Sequence, residues 1–262
     1  VPPSTPPTTA PPATDAPPAP PSLPPTGSGS PVFVVDGKAI EVPLPKGAPK
    51  GASSMALSGT TSIAVTSDGQ VFTTLPGDNE GGIPKSTKLN APIIGLGMHW
   101  TRKPHTAGLH AAAEDEWEAS GYWLLGADGG IFAFGTARYH GSLGAKKLNQ
   151  PIVGITPTPS GEGYWLVAAD GGVFAFGDAK FLGSTGNRKL AKPIVSMLPT
   201  RSGKGYWLIA RDGGVFNFGD ARFLGSGATT GKTFVGAIHT ETGKGYWLLT
   251  TDDQRIGFGD AR

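Results

Sequence analysis

The tetrad Gly-Tyr-Trp-Leu occurs four times, beginning at Gly121, Gly163, Gly205 and Gly245, at steps of 42, 42 and 40 residues. A fixed period of this length is the signature of a repeat architecture. Each copy leads into an Asp-Gly-type turn, then a Val-Phe, Ile-Phe or Ile-Gly pair, then Phe-Gly. No unit this small buries its apolar face alone, so the units must stack on one another.

The unit beginning at Pro151 gives the chemistry of one repeat. Pro151–Thr158 is an apolar run of strand length, and Ser160–Gly163 is a turn. Tyr164–Ala168 is aromatic and branched, as a second strand requires. Asp170-Gly171-Gly172 is a tight hairpin turn, because glycine supplies positive φ. Val173–Phe176 reads as a third strand and Lys180–Ser184 as a short fourth. Four antiparallel strands in about 40 residues make a β-propeller blade, with the first strand lining the central channel. The small residues Gly95, Gly154, Ser196 and Gly236 fall on those first strands and suit a crowded axis. Neighbouring residues on a strand point to opposite faces. Each Tyr-Trp pair is therefore expected to send one ring into each adjacent inter-blade layer.

Units begin near Ser53, Pro92, Pro151, Pro193 and Thr233. The first is degenerate, with Ser62-Ile63-Ala64-Val65 in place of the aromatic strand. The last stops at Arg262, where its fourth strand is due. The expected fold is therefore all-β: a propeller of five blades with four antiparallel strands each. Val32–Val35 is expected to close the ring as the missing outer strand. Ala39–Val42 fits that count poorly and leaves a sixth blade as the alternative.

Residues 1–30 hold Pro in pairs among Thr, Ser and Ala, with Asp15 the only charge. They cannot bury enough apolar area to offset ordering, and read as a disordered, polyproline-II-like linker to a propeller at 31–262. Formal net charge is +2, with no basic run, which argues against nucleic acid. The absence of Cys rules out disulfides and thiolate metal sites. No apolar run reaches membrane-span length, so the visible chain is not expected to insert into a bilayer. A chain beginning Val-Pro-Pro reads as processed or trimmed, and a signal or anchor segment before Val1 is an expectation.

The repeats are least regular at 101–120, an insertion after the first strand of the second blade. Insertions in repeat arrays map to the binding face. Trp100, His105, His110, Glu114, Asp115, Glu116 and Trp117 are the candidate binding residues there, with a helical turn expected over Ala111–Trp117. The His and carboxylate spacing fits no tetrahedral metal pattern, so no metal is assigned. There is no Gly-x-Ser-x-Gly elbow, phosphate loop or Cys nucleophile, and no catalytic residue or cofactor is assigned. The repeated Asp residues read as turn formers, since an Asp side chain accepts backbone N–H bonds. The Tyr-Trp pairs read as inter-blade packing.

The Gly-Tyr-Trp-Leu, Asp-Gly-Gly, Val-Phe-Ala-Phe-Gly-Asp-Ala and Pro-Ile-Val-Gly text resembles a tandem repeat of secreted or surface-attached actinobacterial proteins, mycobacterial ones included. The resemblance covers 121–262 well and 53–100 less closely. It implies a propeller-like fold and an extracytoplasmic location, and carries no assigned activity. The five-blade count is similar to tachylectin-type lectins in architecture only, without their motif. The expectation is a non-catalytic extracytoplasmic scaffold that binds a protein or a cell-wall glycan. One setting for it is the ectodomain of a membrane-anchored protein. The alternatives are a lectin-like propeller with one site per blade, and a hydrolase or lyase built on the insertion.

Overall fold

The computed structural model describes residues 32–35, 38–41, 53–56, 62–73, 82–102, 117–144, 146–240 and 242–261. The expected linker at 1–30 lies outside the described residues. Every regular element among those described is a strand. The first sheet holds β3 (Ser53–Ala56), β4 (Ser62–Val65) and β5 (Val71–Thr73). The second holds β6 (Ile93–Arg102), β7 (Trp117–Gly126) and β8 (Ile131–Gly135). The third holds β9 (Ile152–Pro157), β10 (Gly163–Ala168) and β11 (Val173–Gly177). The fourth holds β12 (Ile194–Pro199), β13 (Gly205–Ala210) and β14 (Val215–Gly219). The fifth holds β15 (Phe234–His239), β16 (Tyr246–Thr250) and β17 (Arg255–Phe258). Each is an antiparallel meander with the middle strand in the centre.

The sheets stack in chain order, and their mutual contacts concentrate on the first strands: β6 against β9, β9 against β12, β12 against β15. Sheets that converge along one edge are the radial blades of a propeller-type array. Four apolar clusters fill the four layers between successive sheets. The aromatic pairs are divided between these layers as the alternation rule requires. Trp123 and Tyr164 share one layer, Trp165 and Tyr206 the next, Trp207 and Tyr246 the third.

Three expectations need correction. The fourth strand at Lys180–Ser184 does not form; each of the five stacked sheets has three described strands. The segment runs back along the sheet to the hairpin turn, where Thr185 N donates to Gly171 O at 3.1 Å. Its backbone groups are taken by aromatic side chains, described below, rather than by a strand ladder. Second, Val32–Val35 (β1) pairs with Lys38–Glu41 (β2), Val32 opposite Glu41, and not with the fifth sheet. Lys38–Glu41 is the strand nearest to β1 along the chain, and the pairing is local. Third, crowding does not select the small residues on the first strands. A Cβ on Gly154 would meet only Val167 at 3.5 Å, an ordinary contact within its own sheet. These residues instead follow a β-bulge that recurs in four sheets, leaving Ile94, Val153, Val195 and Val235 as the extra residue. The bulge turns Ile94, Val153 and Val195 toward the following sheet's apolar cluster.

Candidate functional site

The Gly-Tyr-Trp-Leu strand acts as a double clamp. Trp123, Trp165 and Trp207 donate Nε1–H to the carbonyls of Arg138, Lys180 and Arg222 at 2.7, 2.8 and 2.7 Å. Each bond ties the outer segment of a sheet to its own middle strand. The tyrosine of the next sheet grips the same segment two to three residues on. Tyr164 Oη donates to Gly141 O at 2.6 Å and accepts from His140 N at 3.2 Å. Tyr206 does the same with Gly183 O and Leu182 N, at 2.6 and 3.1 Å. Tyr246 donates to Gly225 O at 2.7 Å. Burial pushes these three phenols above the ordinary tyrosine range, so they remain protonated donors. The rings themselves are closed off from solvent, with Tyr164, Trp165 and Tyr206 at 0, 1 and 0% exposure. They offer no stacking platform to a sugar.

The repeated carboxylates are structural as well. Asp128, Asp170 and Asp212 accept from the N–H two residues on, at 2.9, 2.8 and 3.0 Å. Asp178 accepts Thr158 Oγ1 at 2.8 Å and Ser160 Oγ at 2.5 Å, joining the loop after the first strand to the end of the third. Asp220 repeats this with Thr200 and Ser202, and Asp260 with Thr240 and Thr242. The hydroxyl of Ser202, then that of Thr200, holds the Asp220 carboxyl below its ordinary range. Thr242 and Thr240 do the same for Asp260.

The second sheet breaks this clamp. His99 stands at the Thr158 position and Thr136 at the Asp178 position. Their contact runs from His99 Nδ1 to Thr136 Oγ1 at 2.9 Å. Ser120 is the extra residue of a bulge between His99–Gly121 and Trp100–Ala119, and its hydroxyl lies 2.6 Å from Thr136 Oγ1. Ser120 Oγ is 3.4 Å from His99 Nδ1, longer than a nucleophile–base bond, and its shorter bond goes to Thr136. The cluster is therefore a neutral version of the clamp. His99 is buried, and burial lowers its pKa while the charge of Glu162 opposes that shift. Its ring meets Trp123 edge-on at 5.5 Å.

Above this cluster the hairpin of β6 and β7 continues. Trp100 pairs with Ala119, Thr101 with Glu118 and Arg102 with Trp117. The insertion expected over 101–120 is thus partly strand, and Trp117 lies in β7 rather than in a helical turn. Its aromatic and β-branched residues favour the ladder over the helix that Ala and Glu content implied. Trp100 and Trp117 are brought onto one hairpin, at paired positions two apart in register. His105, His110, Glu114, Asp115 and Glu116 lie outside the described residues. At the foot of the hairpin an apolar groove of about 350 Å³ runs between the first strands, lined by Leu96, Met98, Ile155, Pro157 and Pro199. Among the described residues no three His or carboxylate groups converge on a metal position.

Radial three-stranded sheets, aromatic clamps between them and one projecting hairpin define a β-propeller-type repeat protein. No protein-family model matches the chain, and no curated protein matches it. Among solved structures it is similar to the β-propeller domain of Swd1 (Cps50) from Myceliophteria thermophila. Identity is 10% and the TM-score 0.47, over 73% of this chain and 59% of that one. The chain thus spans less than two thirds of that domain. The order and stacking of the chain's own sheets assign its fold.

Proposed function

We propose that this protein is a non-catalytic, extracytoplasmic scaffold that holds a protein partner on the hairpin of β6 and β7 and the groove beneath it. The observation that carries the reading is asymmetry. β6 and β7 each run 10 residues, against 6 for β9 and β10 in the regular sheet beside them. Four further residues per strand extend the hairpin by about 13 Å. It projects from the end of the array where the other sheets carry only short loops, and loops on a rigid frame are where binding is placed. The extracytoplasmic location rests on the repeat resemblance and on the Pro/Thr-rich segment.

The test replaces 101–119 with the short turn of the third sheet and compares trimmed and intact chains in envelope extracts. A protein retained by the intact chain, lost on trimming, and bound saturably when purified supports the reading. Equal retention by both chains sinks it.

The five sheets are also proposed to form a five-bladed array, and one variant tests whether it closes into a ring. The face of the fifth sheet that would receive the first is half-open. Val235 is 41% exposed there, while Val153 and Val195 at the same position are packed. Val235→Lys should lower the melting temperature as much as Val153→Lys if the ring is closed. A neutral Val235→Lys refutes closure.

A further inference from the structure

Arg138-Tyr139, Lys180-Phe181 and Arg222-Phe223 occupy one position of the repeat, 42 residues apart. All six side chains are exposed, and the three rings rank among the most exposed large apolar groups of the described chain, at 60, 60 and 57%. Single exposed aromatics are ordinary. The same ring beside the same charge on three successive sheets is a patterned surface.

That surface is also held rigid. The carbonyl of each basic residue accepts the indole N–H of its own sheet's tryptophan. The residues directly after each aromatic are gripped by the tyrosine of the next sheet. Each dipeptide is therefore fixed on both sides, and its ring is presented at low entropic cost. The buried Tyr-Trp pairs build the platform and the exposed residues furnish it.

We propose that these three dipeptides form a binding row for an acidic polysaccharide. A flat apolar ring stacks on the C–H face of a sugar, and the adjoining cation pairs with a carboxylate or sulfate on that sugar. Repetition on the protein calls for repetition in the ligand. The rings sit on separate stacked sheets, so they lie about 10 Å or more apart. That spacing calls for an extended polymer and exceeds the step between adjacent stacked bases. The Pro-rich segment 1–30, with Asp15 as its only charge, would leave the cations unmatched. This row is separate from the β6–β7 hairpin and stands or falls independently of it.

The test is affinity electrophoresis and calorimetry of the whole chain with alginate, a polyuronate, at low and physiological salt. Dextran, a synthetic peptide of residues 1–30 and a single-stranded oligonucleotide serve as competitors. The proposal expects alginate binding that weakens with salt and is absent with dextran. Each of Tyr139→Ala, Phe181→Ala and Phe223→Ala should weaken binding several-fold, and the triple variant roughly tenfold or more, because linked sites act together. Replacing the three cations by Gln should remove the salt dependence, and this variant decides the matter if the triple alanine chain does not fold. Failure of the intact chain to bind alginate overturns the proposal. So does alginate binding unchanged in the variants, or tighter binding of the peptide or oligonucleotide through the same residues.

Discussion

The third and fifth sheets carry nearly the same text and live in different surroundings. In the third, Trp165 is 1% exposed, covered by Tyr206 of the following sheet at 5.9 Å between ring centroids. In the fifth, Trp247 is only half-buried, and its cover comes from its own sheet. The Arg255 guanidinium lies 5.1 Å from its ring centroid. Arg255 stands where the third sheet has Val173, and Gly257 where it has Ala175. Asp253, at φ 58°, stands where it has Gly171. A Cβ on Gly171 would sit 1.8 Å from Thr185 Oγ1 and 3.1 Å from Ile194 of the next sheet. No described sheet follows the fifth, and Asp is accommodated at that position. The comparison shows that burial of the repeat's tryptophan belongs to the pair of sheets, not to the repeat. Arg255, Gly257 and Asp253 also leave the fifth sheet's face more polar than that of the third.

The largest test of that comparison removes the two indoles. Trp165→Ala should cost about 3–5 kcal/mol of stability in denaturant titration, through lost burial and a cavity. Trp247→Ala should cost less than about 2 kcal/mol, because less area returns to water. Equal losses would mean that the fifth face is covered in solution. Next in size is the turn. Gly171→Ala should cost about 2 kcal/mol or more, from positive φ and the clash with Thr185. Asp253→Gly should change stability by less than about 1 kcal/mol, and thermal melts distinguish the two.

The smallest expected effect is in acid, where the fourth and fifth sheets agree and the second differs. Asp220 and Asp260 have native pKa values lowered by their hydroxyl partners. A depressed carboxyl pKa stabilises the fold above the unfolded value. That contribution starts to fall below about pH 4 and is gone once pH passes below the native value. Both groups are exposed, so the slope should be shallow. Melting temperatures between pH 5 and pH 2.5 should fall less steeply in an Asp220→Asn, Asp260→Asn variant. The second sheet carries no carboxylate in its clamp, only Thr136. The titratable member of its cluster is His99, whose pKa burial lowers, so amide exchange around Ser120, corrected for the intrinsic rate, should quicken as pH falls below the ordinary imidazole value.

Much of the fold was legible in the chain, because a period of about 42 residues marks a stack of like sheets and alternation along Tyr-Trp states which ring enters which layer. The turn roles of Asp128, Asp170 and Asp212 were legible for the same local reason. The missing fourth strand was not. Lys180–Ser184 has strand composition, and only the approach of Trp165 from one side and Tyr206 from the other diverts its carbonyls from a ladder. The candidate site was read in part. Irregular text marked the second sheet, but the pairing of Trp100 with Ala119 and the cluster of His99, Ser120 and Thr136 depend on register. The exposed row of Tyr139, Phe181 and Phe223 was present in the period as a repeated basic–aromatic dipeptide. Its exposure could not be read there, since Leu182 beside Phe181 has the same apolar character and faces inward.

The sequence alone therefore determined the all-β repeat, its period, its hairpin turns and the division of aromatics between layers. All of these follow from spacing along one chain. The tertiary structure alone decided which rings are buried and which are presented. It also decided where the carboxylates find their hydroxyls and which face of the array is left half-open. Those outcomes depend on groups about 20 to 40 residues apart meeting within one sheet or across two, and no local pattern encodes that meeting.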